Sequence, residues 1–269
     1  MHSSLNGGSL HPAAAIQERI HALWDTLADF EASQADEALR HLMAELCGLV
    51  EAQNAVWVGA VRLDGSLPGD PVKGWRPRTV RYLHPASPLH DAVREQTEKL
   101  ESGNVDETTL RNVAGAGTFR VNRLVDLVSP EWFDSGYCRD YYHGAGIADA
   151  IWAGVPINED TESYFGIKRH AGHPPFTVEE REAVAHVLRG LKWFLRRQML
   201  SHGLLVANIP LTPVERQVLH GLLGGQSEKE IAAAQGRSPH TTHGYVTSIY
   251  RKYGVNNRAA LMALWLGRS

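Results

Sequence analysis

The sequence of 269 residues has little cysteine, no long hydrophobic run and no apolar leader. Its two cysteines, Cys47 and Cys138, lie far apart, which excludes a disulfide framework and favours a reducing compartment. No apolar run approaches the ~20 residues that cross a bilayer, and residues 1–10 lack the basic start and apolar stretch of a signal peptide. We therefore expect a cytoplasmic protein with no membrane partner.

The short motifs of common enzymes are also absent. There is no Gly-x-Ser-x-Gly turn, no phosphate-binding loop and no dinucleotide fingerprint, and the 14 histidines are scattered. The sequence thus predicts no catalytic residue, no metal and no cofactor. An enzyme with unrecognised motifs and a pure protein-interaction module remain alternative interpretations of the chain.

Charge is distributed unevenly along the chain. From Leu211 onward there are seven basic and three acidic residues, a net charge of +4, whereas the preceding residues carry 20 basic and 27 acidic side chains, a net charge of −7. A basic segment attached to an acidic body is typical of a protein that meets phosphate at one end only.

The first 200 residues alternate between helical and strand patterns. Residues 13–31 carry one apolar stripe, residues 55–63, 147–157 and 164–170 are rich in strand formers, and a long helix is predicted from Thr177 to Leu200 behind the capping pair Thr177 and Glu180. This order favours an α+β domain over residues 1–200, followed by a linker over residues 201–210.

The remaining residues contain closely spaced helix starts. A short helix, a tight glycine-bearing turn and a further helix are typical of a helix-turn-helix unit, and Asn257 can cap a fourth helix. We therefore predict an all-α four-helix domain over residues 211–269. The starts of the first three helices are marked by Thr212 with Glu215, by Ser227 with Glu230, and by Ser238 with Pro239.

The third of these helices has two distinct faces. Thr242, Val246, Ile249 and Tyr253 recur at core spacing, and the opposite face is small and polar, as a helix that enters the major groove of double-stranded DNA requires. Basic residues near the helix end are expected to neutralise phosphates. The candidate DNA-binding residues are Ser238, His240, Thr241, His243, Gly244, Thr247, Ser248, Arg251, Lys252 and Arg258.

Several ordered blocks between Leu211 and Leu264 resemble the LuxR-type helix-turn-helix family. They are residues 211–219, 229–232, 238–241, 249–252 and 255–261. The resemblance implies a four-helix DNA-binding module of a transcription regulator, which forms a homodimer through its last helix. This sequence departs from the family at three positions, since Thr242 and His243 occupy the usual Val-Lys pair and Tyr245 occupies a usual histidine.

The segment from Trp132 to Phe176 resembles the sensor portion that precedes this module in related regulators. That resemblance implies a GAF- or PAS-like fold, with an antiparallel sheet, flanking helices and a small-molecule cavity. Candidate cavity residues are the aromatic side chains of Trp57, Trp132, Tyr137, Tyr141, Tyr142 and Trp152. A simple core, or a domain that only dimerises, is the alternative. Asp70 and Pro71 resemble a motif of acyl-homoserine-lactone receptors, which keeps that ligand class open.

Overall fold

The fold was analysed in a computed structural model, which describes residues 12–63, 69–86, 94, 98–99, 105–205 and 210–267. Within these ranges no helix is both long and apolar enough to cross a membrane. The helices and strands, in chain order, are α1 (Pro12–Asp29), α2 (Ala35–Leu49), β1 (Asn54–Arg62), β2 (Trp75–Tyr82), α3 (Glu107–Ala114), β3 (Arg120–Arg123), α4 (Leu124–Leu127), β4 (Ile147–Pro156), β5 (Thr161–His170), α5 (Val178–Arg189), α6 (Lys192–Ser201), α7 (Pro213–Leu223), α8 (Glu228–Ala234), α9 (Pro239–Tyr253) and α10 (Arg258–Trp265).

The strands form one antiparallel sheet in the order β2-β1-β5-β4-β3. The predicted antiparallel sheet with flanking helices in the N-terminal part is thereby confirmed. Strand β1 pairs with both β2 and β5, so that Val58 lies opposite Val80 on one side and Tyr164 on the other. Because alternate residues of a strand point to opposite faces, the central strands present two different surfaces.

One face of the sheet packs against α1, α2, α5 and α6 to form the main hydrophobic core. Trp57, Ile151 and Phe165 lie on this face and are fully buried. The Trp57 indole nitrogen donates a hydrogen bond to Oγ of Ser163 at 3.2 Å, which satisfies its polar atom in the apolar interior.

The prediction of one long helix from Thr177 to Leu200 is wrong in one respect. The capping box of Thr177 and Glu180 is present, but the helix breaks at Gly190 and resumes as α6. A Cβ at position 190 would lie 2.6 Å from the Trp24 ring, so the break occurs where α1 approaches most closely. That approach is a long-range contact, which local helix propensity does not encode.

The last four helices, α7 to α10, form a separate hydrophobic cluster. The predicted caps are confirmed, because the side chains of Thr212, Ser227, Ser238 and Asn257 each accept a hydrogen bond from a backbone amide of the helix that follows. The predicted core stripe of α9 is confirmed as well: Thr242, Val246, Ile249 and Tyr253 are all buried.

The helical C-terminal part contacts the sheet-containing part directly. Leu200, in α6, belongs to the hydrophobic cluster of α7 to α10, and its carbonyl accepts a hydrogen bond from the Tyr253 hydroxyl. The buried guanidinium of Arg216 bonds to the carboxylate of Asp36 in α2, and its Nε donates to the carbonyl of Ser201 at 3.3 Å. Residues 201–204 of the expected linker are buried in this junction.

Candidate functional site

Helix α9 presents an exposed polar face opposite its buried stripe. His240, Thr241, His243, Gly244 and Thr247 are all exposed, so the structure brings these candidate residues together on one surface. Ser238 caps the helix by accepting a hydrogen bond from the Thr241 amide at 3.0 Å. A Cβ at Gly244 would meet no atom of the described residues within 4 Å, which leaves the middle of this face low and open.

Two of the candidate residues have partners inside the protein. Lys252 Nζ lies 2.7 Å from Oε2 of the buried Glu215 and donates to the carbonyl of Pro210 at 3.3 Å, and Ser248 donates to Oε1 of Glu215 at 2.9 Å. Burial raises the pKa of the Glu215 carboxyl, but hydrogen bonds from Lys252, Thr212 and Ser248 outweigh burial and hold the pKa below its usual range. The structure thus gives Lys252 and Ser248 a role in joining α9 to α7, which differs from the expected phosphate contact.

The other basic residues near α9 differ in whether their charged atoms have partners inside the protein. Arg258 donates to the carbonyl of Leu222 in α7 and to that of Gln226 in the following turn, so its guanidinium also has internal partners. Arg251 is exposed on α9. Lys229, in the first turn of α8, is exposed too. The sequence patterns did not mark it as a DNA contact, although a basic residue close to the start of the second helix of the unit was a usable signal.

One contact crosses from α8 to the exposed face of α9. Nδ1 of His243 lies 3.0 Å from Oε2 of Glu228. Sequence spacing could not reveal this pair, because the two residues belong to different helices and are 15 positions apart.

A cavity of about 160 Å³ lies on the sheet face opposite the main core. Strands β1, β2, β4 and β5 and helix α3 contribute its walls, which are mostly aliphatic and aromatic. The lining residues are Val56, Val58, Ala60, Val72, Trp75, Arg76, Pro77, Val80, Tyr82, Thr108, Thr109, Asn112, Val113, Trp152, Tyr164 and Lys168.

Asn112 is the polar group of interest in this wall. Only 6% of the residue is exposed, and its Nδ2 donates to the carbonyl of Thr108 at 2.9 Å. Its Oδ1 is buried and accepts no hydrogen bond from any residue that the structure describes. A buried acceptor without a donor costs free energy, which a ligand N–H or O–H would recover.

The six aromatic residues expected to line a cavity fall into three positions. Trp152 lines the cavity, whereas Trp57 lies on the opposite sheet face in the main core, because it alternates with Val56 and Val58 along β1. The other four, Trp132, Tyr137, Tyr141 and Tyr142, form a separate hydrophobic cluster with Trp152 at its border. The Trp152 indole nitrogen donates to the Tyr142 hydroxyl at 3.2 Å, which links this cluster to the cavity wall.

Asp70 has its carboxylate occupied by the turn before β2. It accepts from the amides of Val72 and Gly74, at 3.2 and 2.7 Å, and pairs with the Arg76 guanidinium at 3.1 Å. Burial alone would raise the pKa of the Asp70 carboxyl, but the hydrogen bonds from Gly74, Val72 and Arg76 together outweigh it and hold the pKa below its usual range. The residue stabilises the turn that places Val72 and Trp75 in the cavity wall.

Comparison with known proteins identifies the C-terminal part. Residues 209–265 match the family of bacterial regulatory proteins described as GerE, luxR family. The chain is 35% identical over 60 residues to the probable HTH-type transcriptional regulator GfsR of Streptomyces halstedii, which is 22% of this chain and 25% of that relative. It is 46% identical over 52 residues to the transcriptional regulatory protein UhpA of Escherichia coli, which is 19% of this chain and 26% of that relative. The chain thus spans about a quarter of the length of these curated relatives.

Alignments with solved structures extend over more of the chain. Escherichia coli SdiA aligns over 91% of this chain and 94% of its own, at 12% identity and a TM-score of 0.43. The VqsR LBD domain from Pseudomonas aeruginosa aligns over 69% of this chain and 96% of its own, at 13% identity and a TM-score of 0.45. The family match and the sequence relatives concern the last four helices, and this C-terminal segment is a LuxR-type helix-turn-helix domain.

Proposed function

We propose that this chain is a DNA-binding transcription regulator in which α9 enters the major groove of double-stranded DNA. The observation that carries the proposal is the exposed face of α9, where His240, His243 and Thr247 surround Gly244 while the opposite stripe is buried. A groove-reading helix must approach base edges closely and present hydrogen-bonding side chains to them. This face meets both requirements.

Phosphate contacts are proposed for the exposed cations. Arg251 lies on the same helix as the base-reading residues, and Lys229 lies beside Glu228, which touches His243. Their charges would be neutralised by backbone phosphates on either side of the groove. Ser248, Lys252 and Arg258 would act indirectly, by holding α7, α9 and α10 in position.

The full-length protein should select a defined sequence from a library of random DNA duplexes. Selected duplexes should bind more tightly than random DNA of the same length, and binding should weaken steeply as salt rises, because each neutralised phosphate releases counterions. Equal binding to all duplexes at every salt concentration would contradict the proposal. A protein that converts a substrate and ignores DNA would favour the enzyme alternative.

The N-terminal part is proposed to be a GAF- or PAS-like sensor of a small molecule. The support is the cavity beside β1 and β5 and the buried Oδ1 of Asn112, whose hydrogen-bonding capacity no described residue uses. These features favour a compact, mostly apolar ligand that carries one hydrogen-bond donor. Because the Asp70 carboxylate already accepts hydrogen bonds from its own turn, Asp70 is not proposed to bind a lactone ligand.

Replacement of Asn112 by leucine tests the sensor proposal. The substitution should weaken binding of whichever small molecule native mass spectrometry detects in the full-length protein, because the ligand donor would lose its acceptor. His173→Leu is the control, because His173 is exposed and does not line the cavity. Equal retention in wild type and Asn112→Leu would contradict a ligand in this cavity.

A homodimer is proposed to form through α10. Met262 on this helix and Leu266 directly after its end are 40% and 75% exposed, although Leu261 is fully buried in the core. Burial of the two exposed side chains against a second copy would remove apolar surface from water. Sedimentation of the Met262→Glu variant should give a monomer where the wild type gives a dimer, and an unchanged dimer would contradict this interface.

A further inference from the structure

His243 and Glu228 form a contact between α8 and the DNA-facing surface of α9. Their side chains are 66% and 39% exposed, and Nδ1 lies 3.0 Å from the carboxylate oxygen. Exposed ion pairs of this kind contribute little to folding stability. The chemical consequence of the contact therefore lies in the imidazole ring and not in the stability of the helices.

The contact determines which ring nitrogen carries the proton. A carboxylate only accepts hydrogen bonds, so Nδ1 of His243 must be the donor. In the neutral ring Nε2 is then a bare acceptor, whereas in the protonated ring Nε2 becomes a donor. The hydrogen bond to one nitrogen thus sets what the other nitrogen offers to a partner.

These two states of Nε2 match different base edges in the major groove. An acceptor matches the exocyclic amino groups of cytosine and adenine, whereas a donor matches N7 and O6 of guanine, O4 of thymine and N7 of adenine. Cytosine is therefore bonded only by the acceptor, and guanine and thymine only by the donor. A histidine without the carboxylate could place its single proton on either nitrogen and would discriminate less between these bases.

We propose that Glu228 determines which base His243 reads, so that at one position of the DNA site the neutral pair selects cytosine or adenine, and the protonated pair selects against cytosine and in favour of guanine or thymine. This inference rests on the proposed DNA-binding function and names a specificity-determining pair within it. Glu228 acts as a positioning residue, since only His243 would touch the base.

Other charged and titratable groups surround the pair. Tyr250, on α9, has its pKa raised by burial first and then by the charge of Glu228, whereas Arg258, at the start of α10, acts in the opposite direction. His240 lies one turn before His243 and Arg251 two turns after it on the same helix. These four residues are unchanged in the Glu228 and Glu230 variants. Any pH response that they cause is therefore the same in the wild type and in both variants.

The test is selection from a random duplex library by the full-length protein at pH 8 and at pH 6. The position at which His243→Ala loses its preference identifies the base that His243 reads. At that position the wild type should select cytosine or adenine at pH 8. At pH 6 guanine and thymine should gain about three- to tenfold in affinity relative to cytosine, the scale of one hydrogen bond. Glu228→Gln should lose most of the preference at pH 8 and show a smaller pH response, because an amide fixes neither nitrogen and Nε2 can then already carry the proton of the neutral ring.

Glu230→Gln is the matched control. It removes one negative charge from the same helix, and glutamine can still close the capping box with Ser227. This variant should keep the wild-type preference at both pH values. A Glu228→Gln protein that selects the same base with the same pH response would overturn the inference while leaving the DNA-binding function intact. A wild type that selects no sequence would overturn both.

Discussion

At the scale of single residues, neighbouring cations on α9 have different environments. Arg251 is exposed, whereas the ammonium of Lys252 lies between Glu215 and the carbonyl of Pro210. Glu215 also caps α7 and accepts from Ser248. Basic character alone therefore does not mark a phosphate contact, and burial of the charged atom separates the two roles.

Replacement of each cation by methionine should separate folding from binding. Lys252→Met leaves the buried Glu215 carboxylate without its ammonium partner, so the free energy of unfolding should fall by about 1–3 kcal/mol, while the salt dependence of DNA binding stays unchanged. Arg251→Met should leave stability unchanged and reduce the slope of log affinity against log salt by about one. Denaturant titration and salt titration check the two halves, and a reduced salt slope in Lys252→Met would contradict the assignment.

Gly244 should respond to substitution in opposite directions in two assays. Alanine is accommodated without contact in the described structure, and it favours a helix interior by roughly 0.5–1 kcal/mol, so Gly244→Ala should raise stability. The added methyl group would stand where the helix is proposed to approach the bases, so affinity for a selected duplex should fall. Thermal unfolding and DNA titration of the same preparation measure both effects. Higher stability with undiminished affinity would show that this part of α9 does not approach DNA.

At the scale of elements, local signals predicted the helix starts because their chemistry is local. Thr212, Ser227, Ser238 and Asn257 each satisfy an amide within the next turn, a pattern that a sequence displays directly. The break at Gly190, the pairing of Lys252 with Glu215 and the contact of His243 with Glu228 join elements distant in sequence. The assignment of Trp57 to a cavity failed for a related reason, since strand periodicity separates two faces but does not say which one helices cover.

The C-terminal end of α6 carries a histidine buried against β1. The His202 ring lies 5.0 Å from the Trp57 ring, and its Nδ1 donates to the carbonyl of Gln198 at 3.0 Å. Burial first, and then the charges of Arg216 and Arg81, hold the pKa of His202 well below its ordinary value. The folded protein therefore keeps this imidazole neutral where an unfolded chain would take up a proton.

The protein should consequently lose stability as the pH falls below about 6.5. Above that pH both states have a neutral ring, and below it only the unfolded state binds the proton, at a cost to the folded state of up to about 1.4 kcal/mol per pH unit. His202→Phe retains an aromatic ring on Trp57 and should reduce the slope of the free energy of unfolding against pH by the equivalent of one proton. Replacement of the exposed His173 by glutamine should leave this slope unchanged. Denaturant titrations from pH 7.5 to 5.5 measure this slope. A slope in His202→Phe equal to that of the wild type would contradict a neutral His202 imidazole in the folded protein.

At the scale of the whole molecule, the sheet-containing part and the helix-turn-helix domain share a packed junction. Arg216 is 7% exposed in its side chain and meets Asp36 of α2, and Tyr253 bonds to the carbonyl of Leu200. The sequence suggested a linker over residues 201–210, because no periodic pattern spans it. In the structure its first residues are buried, which provides a physical route between the proposed sensor and the DNA-binding helices.

Removal of the Asp36 charge should loosen this junction selectively. Asp36→Asn deprives a buried guanidinium of its anionic partner, so stability should fall by about 1–3 kcal/mol. Backbone amides of α7 and the end of α6 should exchange hydrogen faster, while those of β4 and β5 keep the wild-type rate. The exposed Asp25→Asn in α1 is the matched control and should change neither. Unchanged exchange in α7 would contradict an energetic role for the pair.

The central claim, that the exposed face of α9 reads base edges, is tested most directly by the affinity ratio between a selected duplex and random DNA. His243→Ala and Thr247→Ala should each lower binding to the selected duplex by roughly 1–3 kcal/mol, with little change on random DNA, since base contacts discriminate sequence and phosphate contacts do not. Neither variant should change the unfolding temperature, because both side chains lie off the buried stripe. An unchanged ratio in both variants would contradict the placement of α9 in the groove.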